Sequence, residues 1–346
     1  MDELRLIGME LPNGWIIEKE RNRLPDASGG EHSLSYLARN RVGGQAFVKV
    51  LDPTVDPDAA DPVAELKLRL DVFHYERELV EKCAGLSRVV RVIDGGSAKV
   101  KGSPSPIFYL VFEVAECDLR EQAELSKRFD VAFRMRVLHH TAVGLQQLHS
   151  VRIAHQDLKP SNVLVFDRDE AKLGDLGHAH DRATPRPGKD RILAADPTYA
   201  PPEQLYSYKL DEWDARRLSA DLYHLGSIAV FLFAGVGITP QLCGQLRPEH
   251  HWDVWTGSYH DVLPYVREAW NAVLDDFANT VDGADGRELV TLVRYLSEPD
   301  PLRRGHPQNL SPKGSPYGLQ RFISRLDFLA SRAESEFRRK QSIRPL

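Results

Sequence analysis

Two short polar motifs lie between apolar, strand-like runs near the middle of the chain. The first reads H-Q-D-L-K-P-S-N at residues 155–162, and the second reads D-L-G at residues 175–177. Phosphoryl transfer needs residues of these types, namely a carboxylate that accepts and orients a hydroxyl proton, and oxygen ligands for the Mg²⁺ ions that bridge the phosphates. Either motif alone could occur by chance, but their joint spacing makes chance a poor explanation.

This pair of motifs resembles the catalytic loop and the metal-binding turn of protein kinases, which usually read H-R-D-L-K-P-x-N and D-F-G. The resemblance implies that Asp157 is the catalytic base and that Lys159 places its ammonium beside the transferring phosphate. It also implies that Asn162 and Asp175 hold the metal ions. The cofactors that it implies are ATP and Mg²⁺, with Mn²⁺ as an alternative metal.

Length and composition agree with a two-lobed globular protein. The chain has 346 residues, of which 42% are hydrophobic and 27% are charged, with a net charge of −5. This charge argues against a nucleic-acid-coating surface. Three cysteines without metal or C-x-x-C spacing favour a reducing compartment. The N-terminus lacks signal-peptide features, and the longest apolar run, residues 226–238, is too short to span a membrane. We therefore expect a cytoplasmic protein with no nucleic-acid or membrane partner.

The first part of the sequence predicts an antiparallel sheet. Residues 14–51 show three strand-like runs, and Gly43-Gly44 marks the hairpin between the last two. The apolar runs 89–94 and 107–113 complete a predicted five-stranded sheet. Residues 73–83 read as the one helix of this part of the chain.

Two features of this region resemble the nucleotide-binding elements of kinases. Lys49 ends A-F-V-K, where the family usually has V-A-I-K, and its expected partner is a glutamate on the following helix. We assign that partner to Glu78, because Tyr75 precedes it by three residues and Leu79 follows it, with Glu76 as the fallback. Without the surrounding motifs, such a pair would be read as a solvated surface pair.

The kinase phosphate loop, G-x-G-x-x-G, corresponds here to Ser28, Gly30 and Ser33. Its backbone N–H groups could still bind phosphates, although two glycines are lost and the loop cannot fold as closely. Taken by itself, the segment would be read as an ordinary hairpin turn.

The resemblance also places a nucleotide pocket at the junction of the lobes. Phe112 corresponds to the gatekeeper beside adenine, and the Glu113 carbonyl and the Ala115 backbone correspond to the groups that meet the adenine edge. Phe47 replaces a small residue on the same strand face as Lys49, and so lies over the adenine. Leu164 is expected to close the other side of the pocket.

The second part of the chain carries three further signatures in the family's order. The terminator P-P-E contains Glu203, S-A-D-L-Y-H-L-G contains Asp221, and D-P-L-R-R contains Arg304. The resemblance predicts that Asp221 braces the catalytic loop and that Arg304 forms a buried pair with Glu203. A solvated charge cluster is the alternative for that pair. Residues 321–339 predict an amphipathic helix that packs on its own domain, with docking of a regulatory partner as the alternative.

Together these features identify the chain as a member of the eukaryotic-like Ser/Thr protein kinase family, and its preference for arginine over lysine suggests a divergent bacterial member. The predicted fold is α+β and bilobal: an N-lobe with a five-stranded antiparallel sheet and one helix (1–115), a mostly helical C-lobe (116–312) and a C-terminal helical tail (313–346). The predicted activity is transfer of the ATP γ-phosphate to Ser/Thr hydroxyls of a protein substrate. The alternatives are a pseudokinase scaffold that binds nucleotide without turnover, and a transferase acting on a small molecule or RNA.

Two further departures from the family pattern concern the catalytic loop and its control. Gln156 replaces the arginine of H-R-D, which helps to bind a phosphate on the activation segment. Asp196 stands where Ser/Thr kinases place a threonine near the catalytic aspartate and lysine. Because Gln156 is neutral, it cannot form a charge-assisted pair with a phosphate. We therefore predict control by something other than activation-segment phosphorylation.

Overall fold

The computed structural model describes residues 6–21, 33–55, 60–100, 105–121, 130–167, 170–188, 192, 196–310 and 314–342. Among these residues, the N-terminal part is one antiparallel sheet of five strands in the order β1-β2-β3-β5-β4, with a single helix, α1, packed against it. The strands are β1 Trp15–Glu20, β2 Ser33–Asn40, β3 Gln45–Leu51, β4 Val92–Lys99 and β5 Pro106–Phe112, and α1 is Pro62–Lys82. The predicted five-stranded sheet is confirmed.

Two boundaries in this lobe differ from the prediction. Helix α1 starts about three turns earlier than residue 73, because Asp61 caps it by accepting a hydrogen bond from the Ala64 N–H and Pro62 occupies its first turn. Strand β4 begins later and continues through two glycines, Gly95 and Gly96. The side chain of Leu110 covers the space that a Cβ at Gly95 would occupy.

The C-terminal part is mostly helical. Its helices are α2 Val131–Ser150, α3 Pro202–Leu205, α4 Trp213–Ala234, α5 Ile238–Gln245, α6 Tyr259–Ala278, α7 Gly283–Ser297 and α8 Gln320–Ser342. Short strands β6 Cys117–Asp118, β7 Ile153–Ala154, β8 Val163–Phe166, β9 Glu170–Leu173 and β10 His180–Asp181 carry the polar motifs between them. The predicted bilobal α+β fold is therefore confirmed.

Helix α4 lies at the centre of the C-terminal lobe, and most of its side chains are buried. A buried ion pair fixes the helix to its surroundings. Both Nη atoms of Arg304 donate to the Glu203 carboxylate at 2.8 Å, and Arg304 Nη1 also donates to the Ser219 carbonyl at 3.0 Å. Since Arg304 is fully buried, the predicted pair is confirmed and the solvated cluster is not.

The C-terminal helix α8 packs along α2, the helix that leads into the catalytic-loop motif. Phe322, Leu326 and Leu329 on its inner face are buried, and Arg136 of α2 bonds to carboxylates on α8. The predicted packing on its own domain is confirmed. Among the described residues no single helix is long and apolar enough to cross a membrane; only the bent pair of α4 and α5 meets that requirement, by length and composition.

Candidate active site

A lysine and two carboxylates meet where the sheet faces the helical lobe. Lys49 of β3 donates from Nζ to Glu76 Oε1 at 2.7 Å and Oε2 at 2.9 Å, and to Asp175 Oδ1 at 3.0 Å. Burial alone would lower the pKa of Lys49, but Asp175 and Glu76 raise it above its ordinary value. Burial alone would raise the pKa of Asp175, yet the Lys49 ammonium holds it well below its usual range. Lys49 and Asp175 are therefore both charged at neutral pH, whereas burial raises the pKa of Glu76 above its ordinary value.

The glutamate in this group corrects the prediction of Glu78. Glu76 is buried, whereas Glu78 is exposed. The buried stripe of α1 includes Phe73, Leu79 and Val80, and Glu76 lies on it at i+3 from Phe73 and at i−3 and i−4 from the other two. Glu78 falls outside that spacing. Helical periodicity counted from Phe73 would therefore have selected the right residue.

The catalytic-loop motif forms a second buried group. Lys159 Nζ lies 3.0 Å from Asp157 Oδ2, and Asn162 Nδ2 donates to the Asp157 carbonyl at 2.7 Å and to Asp157 Oδ2 at 3.1 Å. Exposed fractions of these three side chains are at most a few per cent. The Asp157 carboxylate is thus held in one orientation by two donors.

Asp221 of α4 holds the backbone of this loop in position. It accepts hydrogen bonds from the His155 N–H at 2.8 Å and the Gln156 N–H at 2.9 Å, and lies 2.8 Å from His149 Nε2. Burial would raise the pKa of Asp221, but the bond from His149 lowers it to about 2. Gln156 has a positive φ of 66°, a strained conformation for a non-glycine residue, and the Asp221 bonds stabilise it. The predicted bracing role of Asp221 is confirmed.

Asp196 adds a third carboxylate to the loop. Its Oδ2 lies 3.9 Å from Lys159 Nζ, and its Oδ1 accepts from the Thr198 N–H at 2.9 Å. Lys159 therefore lies between the carboxylates of Asp157 and Asp196. A threonine at this position would leave Lys159 with one anionic neighbour fewer.

The cleft between the lobes is lined by the hydrophobic residues that the sequence placed there. Phe47, Phe112, Ala115 and Leu164 all line it, and the ring centroids of the two phenylalanines are 6.4 Å apart. The Glu113 N–H donates to the Arg91 carbonyl at 3.1 Å. That N–H is thereby engaged within the lobe, while the Glu113 carbonyl is the group predicted to meet adenine. The adenine contacts stay predictions.

Of the predicted phosphate-loop residues, Ser28 and Gly30 lie outside the described residues. Ser33 begins β2, paired with Leu51, and is not among the residues that line the cleft. Ser35, two residues later on the same strand face, does line it and pairs with Lys49 across the sheet. Sequence reasoning missed Ser35, although strand alternation from Ser33 could have indicated it.

Asn162 and Asp175 present the right chemistry for a hard metal cation. The Asn162 NH₂ group faces Asp157, which turns its amide oxygen away from that carboxylate, and Asp175 is ionised. The Gly174 N–H donates to the Asn162 carbonyl at 2.9 Å and ties the two ligands together. Oxygen ligands of this kind fit Mg²⁺, which takes its remaining ligands from phosphates and water. Within the described ranges, no cluster of three His, Cys, Asp or Glu residues offers another metal site.

Comparison with known proteins agrees with this geometry. The family described as protein kinase domain matches residues 30–309. A dual serine/threonine and tyrosine protein kinase of Strongylocentrotus purpuratus is 27% identical over 72% of this chain and 24% of its own length. A probable serine/threonine-protein kinase of Arabidopsis thaliana is 26% identical over 98% of this chain and 47% of its own length. The mitosis inhibitor protein kinase wee1 of Schizosaccharomyces pombe is 34% identical over 57% of this chain and 22% of its own length.

The chain spans less than half the length of each of these three relatives. The family match nevertheless covers both lobes, including Lys49, the catalytic-loop motif, the D-L-G turn and Arg304. Lys49 of the N-terminal lobe and Asn162 and Asp175 of the C-terminal lobe also line one cleft. The chain therefore belongs to the protein kinase domain family.

Proposed function

We propose that this chain is an ATP- and Mg²⁺-dependent protein kinase that transfers the γ-phosphate to Ser or Thr hydroxyls. One observation carries the proposal. The Lys49–Glu76–Asp175 group and the Asp157–Lys159–Asn162 group are both assembled. A phosphoryl-transfer site needs both of these groups in place at once, because it works by positioning and by electrostatic stabilisation.

The position of each side chain in the active site indicates its role in phosphoryl transfer. Asp157 Oδ accepts the hydroxyl proton and orients that hydroxyl, since Lys159 and Asn162 fix the carboxylate. Lys49, held by Glu76, binds the phosphates of the nucleotide. Asn162 and Asp175 would hold Mg²⁺, which supplies positive charge to the bridging phosphate oxygens when bound. Lys159 offsets negative charge on the transferring group.

Ser/Thr specificity draws support from two sources. In the family that this chain resembles, a lysine at the position of Lys159 in D-L-K-P-x-N is typical of Ser/Thr kinases. The names of two relatives also include serine/threonine activity, although one of them is a dual-specificity enzyme. Those activities belong to the relatives, and for this chain the acceptor is part of the proposal.

Asp196 supports a second candidate, a transferase that acts on a small molecule or RNA. Its carboxylate lies 3.9 Å from Lys159 Nζ, beside the catalytic base, where it could bind an acceptor group other than a peptide hydroxyl. The pseudokinase alternative lacks such support. All four of the residues whose loss commonly marks an inactive member are present, namely Lys49, Asp157, Asn162 and Asp175.

We also propose a partner and a cellular compartment for the protein. The expected partner is a protein substrate. A regulatory partner of α8 would have to use its outer face, because the inner face is buried against α2. The cytoplasmic location stays a prediction from the three cysteines, which are free thiols in the structure.

The test is to identify the product. The protein is incubated with γ-labelled ATP, Mg²⁺ and a mixed peptide library, and labelled products are hydrolysed to phosphoamino acids. Phosphoserine or phosphothreonine supports the proposal, and phosphotyrosine as the main product contradicts the acceptor. A parallel incubation with α-labelled ATP reveals nucleotidyl transfer. Bound ATP with no labelled product from either nucleotide would favour the scaffold.

A further inference from the structure

One face of helix α1 holds the segment that follows the D-L-G turn. Leu68, Tyr75 and Lys82 are spaced by seven residues, about two helical turns, so their side chains leave the helix on nearly the same side. Successive parts of residues 181–188 lie against these three side chains. The segment therefore runs along the helix in the opposite direction.

A partly buried ion pair, in which the Lys82 side chain is 39% exposed, fixes the C-terminal end of this face. Lys82 Nζ donates to Asp181 Oδ2 at 2.7 Å. The Asp181 side chain is only 7% exposed, and its other oxygen accepts from the Ala183 N–H at 2.8 Å. Both oxygens of the carboxylate are therefore engaged, one by the helix and one by the segment itself.

The middle of the face makes two further contacts and its start makes one. The Asp181 N–H donates to Tyr75 Oη at 2.8 Å, and Tyr75 Oη donates to the Thr184 carbonyl at 3.3 Å. Farther along, Leu68 Cδ1 lies 3.2 Å from where a Cβ on Gly188 would be. The backbone of Gly188 has a φ of +94°, so glycine suits this position on both grounds.

These contacts connect both halves of the active site. Tyr75 directly precedes Glu76, the partner of Lys49. Asp181 lies in β10 and pairs with Ile153 of β7, four residues before Asp157. The same residue thus joins the helix that carries Glu76 to the strand that leads into the catalytic loop.

We propose that Lys82, Tyr75 and Asp181 form a clamp that positions Glu76 against Lys49 and so sets the rate of phosphoryl transfer. This inference rests on the proposed function, because it names the contacts that control the geometry of the proposed active site. The negative charge of the clamp belongs to the Asp181 side chain and needs no phosphorylation. Gln156 is neutral, buried and hydrogen-bonded to Arg217, so it does not supply a charged contact of this kind.

Three variants test the clamp. Lys82→Met and Asp181→Asn should each lower kcat about tenfold, which equals about 1.4 kcal/mol of barrier. KM for ATP should change by less than about threefold, because the residues that line the cleft are intact. Tyr75→Phe removes one hydroxyl and should lower kcat by less. Because the charge is on an aspartate and not on a phosphate group, phosphatase treatment of the purified wild type should leave its rate unchanged.

Coupling between the variants distinguishes a clamp from two separate effects. If Lys82 and Asp181 act as one pair, the double variant Lys82→Met, Asp181→Asn should be no more than about threefold slower than the slower single variant. Arg77→Met is the matched control, because Arg77 carries the same charge on the same helix and is 39% exposed like Lys82, but its partner Glu81 is 55% exposed whereas Asp181 is 7% exposed. We expect its rate to stay within about twofold of wild type.

Hydrogen exchange without nucleotide keeps this test separate from that of the proposed function. The amides of Asp181 and Ala183 are hydrogen-bonded within the clamp. Their exchange should accelerate in Lys82→Met and not in Arg77→Met, whether or not the wild type transfers phosphate. Three results would each overturn the clamp: unchanged exchange in Lys82→Met, single-variant rates within twofold of wild type, or losses that multiply to about a hundredfold in the double variant.

Discussion

Replacing Glu76 by glutamine, with the same change at Glu78 as its control, gives a prediction that depends directly on the observed geometry. Both residues lie on α1, and both substitutions remove one negative charge. Glu76 accepts two hydrogen bonds from Lys49 at 2.7 and 2.9 Å, whereas Glu78 is exposed. Any difference between the variants therefore reports the contact with Lys49.

The expected magnitude follows from the contacts that are lost. A hydrogen bond to a charged group contributes about 1.5–3 kcal/mol. If Glu76→Gln weakens the hold on Lys49 by that amount, the rate of transfer should fall about tenfold to 150-fold. Asp175, at 3.0 Å, still pairs with Lys49 and keeps it charged. Glu78→Gln should change the rate by less than about twofold, in keeping with weak surface electrostatics.

The assay is the initial rate of transfer from γ-labelled ATP at saturating nucleotide, with the melting temperature measured for each variant. Equal losses in Glu76→Gln and Glu78→Gln would refute the reasoning, because exposure would then not matter. A wild-type rate in Glu76→Gln would show that Lys49 needs no glutamate partner. A fall in rate that merely parallels a fall in melting temperature would assign the effect to folding.

Three further predictions concern the pocket, the core and pH. Phe47→Ala should tighten ATP binding by removing a ring that crowds the purine, while lowering the free energy of unfolding by up to about 3 kcal/mol; weaker binding in calorimetry would mean that the ring stacks on the base. Arg304→Met should lower the free energy of unfolding by about 3–5 kcal/mol in urea titrations, since Glu203 is left buried and unpaired; a loss below about 1 kcal/mol would contradict this. Burial lowers the pKa of His224 from 6.5 to about 4. Because the unfolded chain binds a proton that the folded chain does not, wild-type stability should fall as pH drops from 6.5 to 4, and His224→Leu should flatten that part of the curve of melting temperature against pH; an unchanged slope would refute this.

The sequence predicts the positions of those residues that belong to short motifs. Asp157, Asn162 and Asp175 belong to short motifs of fixed spacing in the family pattern, so their positions follow from counting. The Arg304–Glu203 pair spans 101 residues and was still predicted, because each partner belongs to a motif of its own. In these cases the resemblance supplied the long-range information.

Other features depend on packing that no motif records. Lys82 and Asp181 are separated by 99 residues, and neither lies in a recognised motif, so only the fold brings them together. Only the rotational phase of helix α1, which buries Glu76 and exposes Glu78, distinguishes the two glutamates. The predicted start of strand β4 is too early, because the apolar pair Val89 and Val90 is typical of a strand. In the structure, Val90 instead donates from N–H to the Leu173 carbonyl of the other lobe.

The measurement that tests the central claim most directly compares wild type with Asp157→Ala in two assays on the same preparations. The first is the initial rate of transfer from γ-labelled ATP with Mg²⁺, and the second is ATP affinity by calorimetry. Asp157 should act on the acceptor hydroxyl, so its removal should lower the rate by about two to four orders of magnitude and leave the affinity nearly unchanged. Equal rates of transfer in the two proteins would contradict the account.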